Sequence, residues 1–416
     1  MFDFAKRKVC ANQLTSMIKG IAALTPTLLL TLMFTSCMSD GYTDTAAGKS
    51  DTYINLNVST PTAQARANAP AGSTTGTSGS PGQDETSPNP TEEEKIYSIR
   101  VWAFKSNTDE NAMPIGFKAE TGLSATGSHN VSMKLLRKAA GNLESIDLYI
   151  LLNAESIDVL NGSDCNTMTR KALKEATFDS NFGIKTDGSP QATTVPAKGL
   201  PISRVITNIN VKDNIADNAA AAAANPVSVP LVRAVSKLHF FFARKTGNDT
   251  ESVTVTRIEV NGETLTAASP VFPEAATNAE KDTKGLKGSF NGLTYLTKNL
   301  IFGGIATDQI KPVDDPKTYI RQPGEKAQNY MDRLSYLQEG CKSYLRETDK
   351  TITGKIYFKS NASLAERSVK FEIPEAYRNH ELVVYGYFSG EAFLDLNLRY
   401  YVAGWNEKGT TNIEFN

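Results

Sequence analysis

Residues Thr52-Tyr53-Ile54-Asn55-Leu56-Asn57-Val58 alternate polar and apolar positions strictly, which places Ile54, Leu56 and Val58 on one face and predicts a half-buried β-strand. The strand stands alone in the pattern. Residues 60–94 are rich in Pro, Gly, Ser, Thr and Asn with almost no large apolar side chain, so they cannot offset the entropy of being ordered and read as a flexible tether. Arg66 lies just beyond the strand, where extended, exposed backbone suits an Arg-specific protease; taken alone it is a solvated linker arginine.

Ordered patterning resumes at Ile96. Tyr97, Ile99, Val101 and Ala103 alternate with Ser98, Arg100, Trp102 and Phe104, a strand whose second face is also partly covered. Val131, Met133 and Leu135 mark another, and the nearly continuous apolar run 146–152 predicts a central strand. Met168, Ala172, Leu173 and Ala176 recur at helical spacing behind the capping candidates Ser163 and Asp164, which predicts a short helix. Strands are expected at 205–211 and 227–229, with an alanine-rich loop insertion between them.

The run 231–242 is the strongest β signal, and a domain boundary is expected at its start. Val253 and Val255 differ in parity from Ile258 and Val260, which predicts a bulge near Thr256 and Arg257. Asn261-Gly262 predicts the positive-φ pair of a tight hairpin. Tyr330, Leu334, Leu337 and Cys341 suggest a short surface helix. Strand patterns then fill 352–358, 369–373, 382–388 and 394–402, and the chain closes on a second clean alternation carrying Ile413 and Phe415, tethered through Gly409.

Length changes the picture only by favouring two domains for 416 residues while permitting three. Lys+Arg 44 against Asp+Glu 45 gives no reason to expect a nucleic-acid partner. Cys165 and Cys341 are the two thiols of the body, expected to be buried and unpaired. His129, His239 and His380 are widely spaced and form no His-Glu-x-x-His pair, and no nucleophile elbow, phosphate loop or dinucleotide fingerprint occurs. Neither an enzyme nor a metal or other cofactor is expected, and His239 reads as a packed strand residue.

At the front, Lys6, Arg7 and Lys8 precede an apolar run, 21–34, that is short for a membrane span and contains Pro26. Phe34-Thr35-Ser36-Cys37 is similar to the lipobox of bacterial lipoproteins, with Phe34 where Leu is usual. It predicts a signal peptide over 1–36 and a lipid on Cys37; plain secretion is the other reading.

The lipobox-like leader, the lone strand followed by Arg66, the junction Leu231-Val232-Arg233-Ala234-Val235-Ser236-Lys237-Leu238 and the ending Leu398-Arg399-Tyr400-Tyr401-Val402 with Trp405 together resemble the fimbrillins of Bacteroidales, the major and minor fimbrial subunits made as lipoprotein precursors. The resemblance implies a mainly β protein with two transthyretin-like β-sandwich domains and one or two short helices. It divides the chain into a signal peptide (1–36), a propeptide with the removable strand (37–66), a tether (67–95), and sandwich domains over 96–230 and 231–416. It also implies cleavage after Arg66 by an Arg-specific protease, removal of Ile54, Leu56 and Val58 with their strand, and refilling of the vacated groove by a neighbour's tail carrying Ile413 and Phe415. The partners implied are other fimbrial subunits in a head-to-tail polymer, the protease, a ligand on a host or bacterial surface, and the outer membrane that holds the lipid-anchored precursor. Whether the subunit is stalk, tip or anchor stays open. The alternative is a non-polymerising surface lipoprotein that holds a glycan or host protein.

Overall fold

The computed structural model describes residues 52–60, 92–135, 144–178, 185, 187–210, 215–216, 219–224, 226–247, 250–272, 292–322, 325, 327–337, 341–404 and 410–414. The first ten strands are β1 (Thr52–Ser59), β2 (Lys95–Lys105), β3 (Gly116–Thr126), β4 (Ser128–Leu135), β5 (Ser145–Leu152), β6 (Thr177–Phe178), β7 (Ile202–Asn210), β8 (Ile215–Ala216), β9 (Val227–Pro230) and β10 (Val232–Arg233). β4, β1, β8 and β9 make one sheet; β10, β7, β5, β2 and β3 make a second, in that order.

The two sheets enclose one core. Ile54, Leu56 and Val58 of β1 and Val131 and Met133 of β4 meet Ile99, Val101 and Ala103 of β2 and Leu148, Ile150 and Leu152 of β5. The continuous apolar run of β5 follows from its central position between β7 and β2, because Tyr149 and Leu151 are buried on the opposite face among Trp102, Phe104, Leu173 and Phe272.

The later strands are β11 (Val235–Lys245), β12 (Val253–Val260), β13 (Ser269–Pro270), β14 (Leu300–Phe302), β15 (Lys311–Val313), β16 (Cys341–Arg346), β17 (Ile352–Ser360), β18 (Ser363–Ile373), β19 (His380–Ser389), β20 (Asp395–Gly404) and β21 (Thr410–Glu414). β11, β19, β20 and β21 lie side by side, with β15 and β16 sharing the free side of β11; β14, β12, β17 and β18 form the facing sheet. Leu238, Phe240, Phe242, Leu382, Val384 and Phe388 pack from the first against Val255, Ile258, Ile356, Phe358 and Phe371 from the second. A short ladder between β6 and β13 joins the halves of the chain, and β10, just past residue 231, still pairs with β7.

The expected bulge in β12 is present, as a register shift between Val255 and Arg257 that lets all four apolar side chains reach the core. Asn261-Gly262 makes no hairpin. Asn261 has φ −65° and caps a 3-10 turn, Gly262–Thr264, by accepting from the Glu263 amide. Glycine is needed at 262 because a Cβ there would lie 1.7 Å from the Lys298 carbonyl oxygen.

Three short α-helices occur among the described residues, where one or two were expected: α1 (Arg170–Lys174), α2 (Ala219–Ala224) and α3 (Ala327–Leu334). Ser163 and Asp164 do not cap α1, since they lie in a separate 3-10 turn, Ser163–Thr167. Thr169 is the cap, accepting from the Ala172 amide, and Arg170 pins the helix start by donating to Asp147 on β5 at 2.7 Å. The alanine insertion forms α2, which lies against β1 with Ala222 buried. Tyr330, Leu334 and Leu337 cover the outer face of the β11 sheet, while Cys341 already belongs to β16. Both thiols, Cys165 and Cys341, are buried and free.

Candidate functional site

The strand that the sequence marks as isolated is the middle strand of its sheet. β1 pairs antiparallel with β4 along all eight residues, Ile54 opposite Met133, Leu56 opposite Val131 and Val58 opposite His129. On its other side β8 pairs antiparallel at Tyr53 and Ile54, and β9 pairs parallel from Leu56 to Ser59. Asn57 donates to Asn130 across the β4 ladder at 2.7 Å, and the C-terminal end of β1 is tied on both sides: the Thr60 amide donates to the Gly127 carbonyl and the Leu231 amide to that of Ser59.

Ile54, Leu56 and Val58 have no exposed surface. At roughly 1.5–3 kcal/mol per buried side chain they contribute about 5–9 kcal/mol of apolar burial to holding β1 in place. Taking β1 away would leave an apolar slot with hydrogen-bonding groups facing it from two walls, β4 on one side and β8 and β9 on the other.

Of the other residues singled out in the sequence, Cys37, Arg66 and Phe415 lie outside the described residues. Ile413 is in β21, where its backbone pairs with Tyr400 of β20 in the other sandwich, so the structure does not bring it to the β1 slot. His239 is buried and packs its ring 4.1 Å from that of Phe241.

Sequence reasoning missed a buried polar cluster where the chain enters β2. Glu93, in the 3-10 turn just before that strand, lies 3.1 Å from Lys237 and accepts from the Tyr344 hydroxyl at 2.7 Å. Lys237 also approaches Glu381 at 3.4 Å, and His239 Nδ1 lies 3.1 Å from the same carboxylate. Burial works against a charge on Glu381, but Lys237 and His239 outweigh it and hold its carboxyl down at about 2. Glu93 is held below the ordinary carboxylate range in the same way, by Lys237, Arg233 and Tyr344 against its burial. Burial in turn pushes Arg233 down, with Glu93 and Glu94 opposing. The signal in the sequence was Lys237 and His239 two apart, alternating with Leu238 and Phe240 in a strand signal, a polar face that is buried all the same.

No protein-family model and no curated protein sequence matches the chain. Several solved structures align with it at low identity. The tip fimbrial protein Mfa3 from Porphyromonas gingivalis, with a C-terminal truncation, aligns at TM-score 0.47 and 12% identity over 85% of this chain and 100% of its own. A fimbrial assembly protein from Parabacteroides distasonis aligns at 0.42 and 11% over 88% and 100%, and a fimbrilin from Porphyromonas gingivalis at 0.40 and 10% over 84% and 97%. The solved structures to which this chain is similar include fimbrial proteins and putative cell adhesion proteins of Bacteroidales.

Proposed function

We propose that this chain is a structural subunit of a fimbrium, exported as a lipoprotein on Cys37, cut after Arg66, and assembled on the cell surface by insertion of a neighbour's strand where β1 had been. The observation that carries this reading is the position of β1: a middle strand, Thr52–Ser59, with Ile54, Leu56 and Val58 fully buried, followed in sequence by a long stretch without core-forming residues that contains Arg66. A middle strand is a poor candidate for a merely decorative edge, and a cuttable connection makes it replaceable. Strand addition then supplies both the apolar anchors and the ladder hydrogen bonds. A head-to-tail contact of this kind does not close on itself and so builds a filament. The donor is the tail with Ile413 and Phe415, and the contact holds through slow unfolding more than through equilibrium affinity.

A second reading is favoured by one observation. β21 is paired with β20 in its own sheet from Arg399 to Ala403, as suits a tip or anchor subunit that accepts a strand and keeps its tail.

The test is to treat the purified precursor with an Arg-specific protease and examine it by electrophoresis in SDS. SDS-resistant ladders are expected from the cut chain, and none from Arg66→Ala or from a chain lacking 410–416. A cut chain that rebinds a synthetic 52–59 peptide yet forms no ladder supports the terminal-subunit reading. If intact, cut and tail-deleted forms all stay monomeric and the peptide does not bind, strand exchange is wrong.

A further inference from the structure

The outer face of the β11 sheet is rich in tyrosine. Tyr385 and Tyr387 of β19 and Tyr401 of β20 lie on it and pack with Tyr319 and Tyr330. Their hydroxyls pin the segment that crosses above them: Tyr387 donates to the Val313 carbonyl and Tyr385 to that of Pro316, each at 3.4 Å, and Tyr330 donates to Tyr319 at 3.1 Å. Asp315 caps the turn Pro316–Tyr319 by accepting from the Lys317 amide at 2.9 Å.

One ring of this layer is presented outward. Tyr336, just after α3, is 64% exposed, whereas Tyr319 beneath it is 6% exposed. The two rings stack with centroids 6.1 Å apart and planes 15° from parallel. Tyr336 is one wall of a depression of about 340 Å³ whose other lining includes Thr246, Asp314, Asp315 and Thr318. That volume is at the small end of the roughly 300–1,000 Å³ of small-ligand sites.

A lone exposed tyrosine is ordinary surface. This one differs in being backed by a buried ring, so its face is held in one orientation and little side-chain entropy is lost on binding. An aromatic face beside carboxylate and hydroxyl oxygens suits a ligand with an apolar side and a rim of hydroxyl donors. A free cation is the competing ligand. The segments that line it also carry Lys245, Lys311 and Lys317, so their summed formal charge does not favour a cation. With charges of both signs on these segments, an acidic sugar is not favoured over a neutral one either.

We propose that the Tyr336 ledge is a binding site for a neutral glycan, with one pyranose ring lying on the Tyr336 face and its hydroxyls donating to Asp314 and Asp315. No residue of the ledge belongs to β1 or β21, so the site is independent of strand exchange.

Saturation-transfer NMR and titration of the uncut full-length protein test this. The probes are methyl glycosides of glucose, galactose, mannose, fucose and N-acetylglucosamine, oligosaccharides of the same sugars, sialyllactose as the acidic probe and a lysine-rich peptide as the cationic one. At least one neutral saccharide is expected to bind, with affinity falling tenfold or more in Tyr336→Ala and in Asp314→Asn/Asp315→Asn, and kept in Tyr336→Trp. Tyr336 is exposed, so these variants should fold, and circular dichroism checks that they do. The proposal is overturned if no neutral saccharide binds, if binding is unchanged in Tyr336→Ala, or if the ledge takes sialyllactose or the peptide instead.

Discussion

Arg378 and Glu347 form an ion pair in which neither side chain has any exposed surface. The same guanidinium donates to the carbonyls of Pro270 and Val271 at 2.7 and 3.2 Å and reaches the Ser203 hydroxyl on β7 at 3.4 Å. One cation thus connects β7 of the first sandwich, the end of β13 with the residue after it, and the loop entering β19. Arg378→Met would leave a buried carboxylate without its cation, and a loss of about 3–5 kcal/mol is expected in urea unfolding. The double change Arg378→Met/Glu347→Leu should recover much of that loss, because neither charge then remains to be solvated.

The core position of β1 gives a second prediction. Leu56→Ala in the uncut protein should cost about 2–5 kcal/mol, as for other buried leucines, whereas Tyr53→Ala, at a half-buried position, should cost distinctly less. Equilibrium unfolding of both variants measures the difference. Equal effects would mean that the alternation of β1 does not decide its hold on the sheet.

Acid should loosen the cluster around Glu381. Its carboxyl titrates at about 2 in the folded protein, against 4.5 ordinarily. A depressed pKa stabilises fully above the unfolded value, and the contribution is lost as pH falls through the window from 4.5 to about 2. The amount is about 3 kcal/mol for this group. Urea midpoints should therefore be level from pH 7 to 5 with respect to Glu381 and fall below that. Lys237→Met removes the principal opposing charge, so its acid limb should be flatter and its stability at pH 7 lower.

Neither body thiol should react in the native state. Burial pushes Cys341 up to about 12 and raises Cys165 as well, so few thiolates exist at neutral pH and reagents have little access to them. Mass-spectrometric mapping after iodoacetamide treatment should find both residues unmodified in buffer and fully modified in denaturant.

Gly262→Ala should destabilise the protein by about 1–3 kcal/mol through overpacking, because the added methyl meets the Lys298 backbone and not a movable side chain. Asn261→Ala, which removes only the cap to the Glu263 amide, should cost about 1 kcal/mol. Thermal melts rank the two.

Strands were readable from the sequence where one face is buried, since the two-residue period of β1, β4 and β17 is imposed by a core on one side. The β12 bulge was readable for the same reason: Val255 and Ile258 cannot share a face without an extra residue. Local signals failed where a distant contact decided the outcome. Gly262 answers to Lys298, and the start of α1 answers to Asp147, neither of which any window around those residues contains. Of the candidate site, the sequence showed which side chains of β1 are buried, but not that β1 has neighbours on both sides, because β8 and β9 carry only two and four residues and leave little pattern. The tyrosine layer was equally hidden, its members being scattered from Tyr319 to Tyr401.

The neighbours of β1 run in different senses, β4 antiparallel to it and β9 parallel. A strand entering the vacated slot in the direction of β1 restores both ladders as they stand, whereas one entering the other way must pair parallel with β4 and antiparallel with β9. Because each such insertion joins the tail of one subunit to the slot of the next, every subunit of a fibre built this way faces the same way, so the two ends are chemically distinct, and growth by adding a tail-bearing subunit differs from growth by adding an open slot.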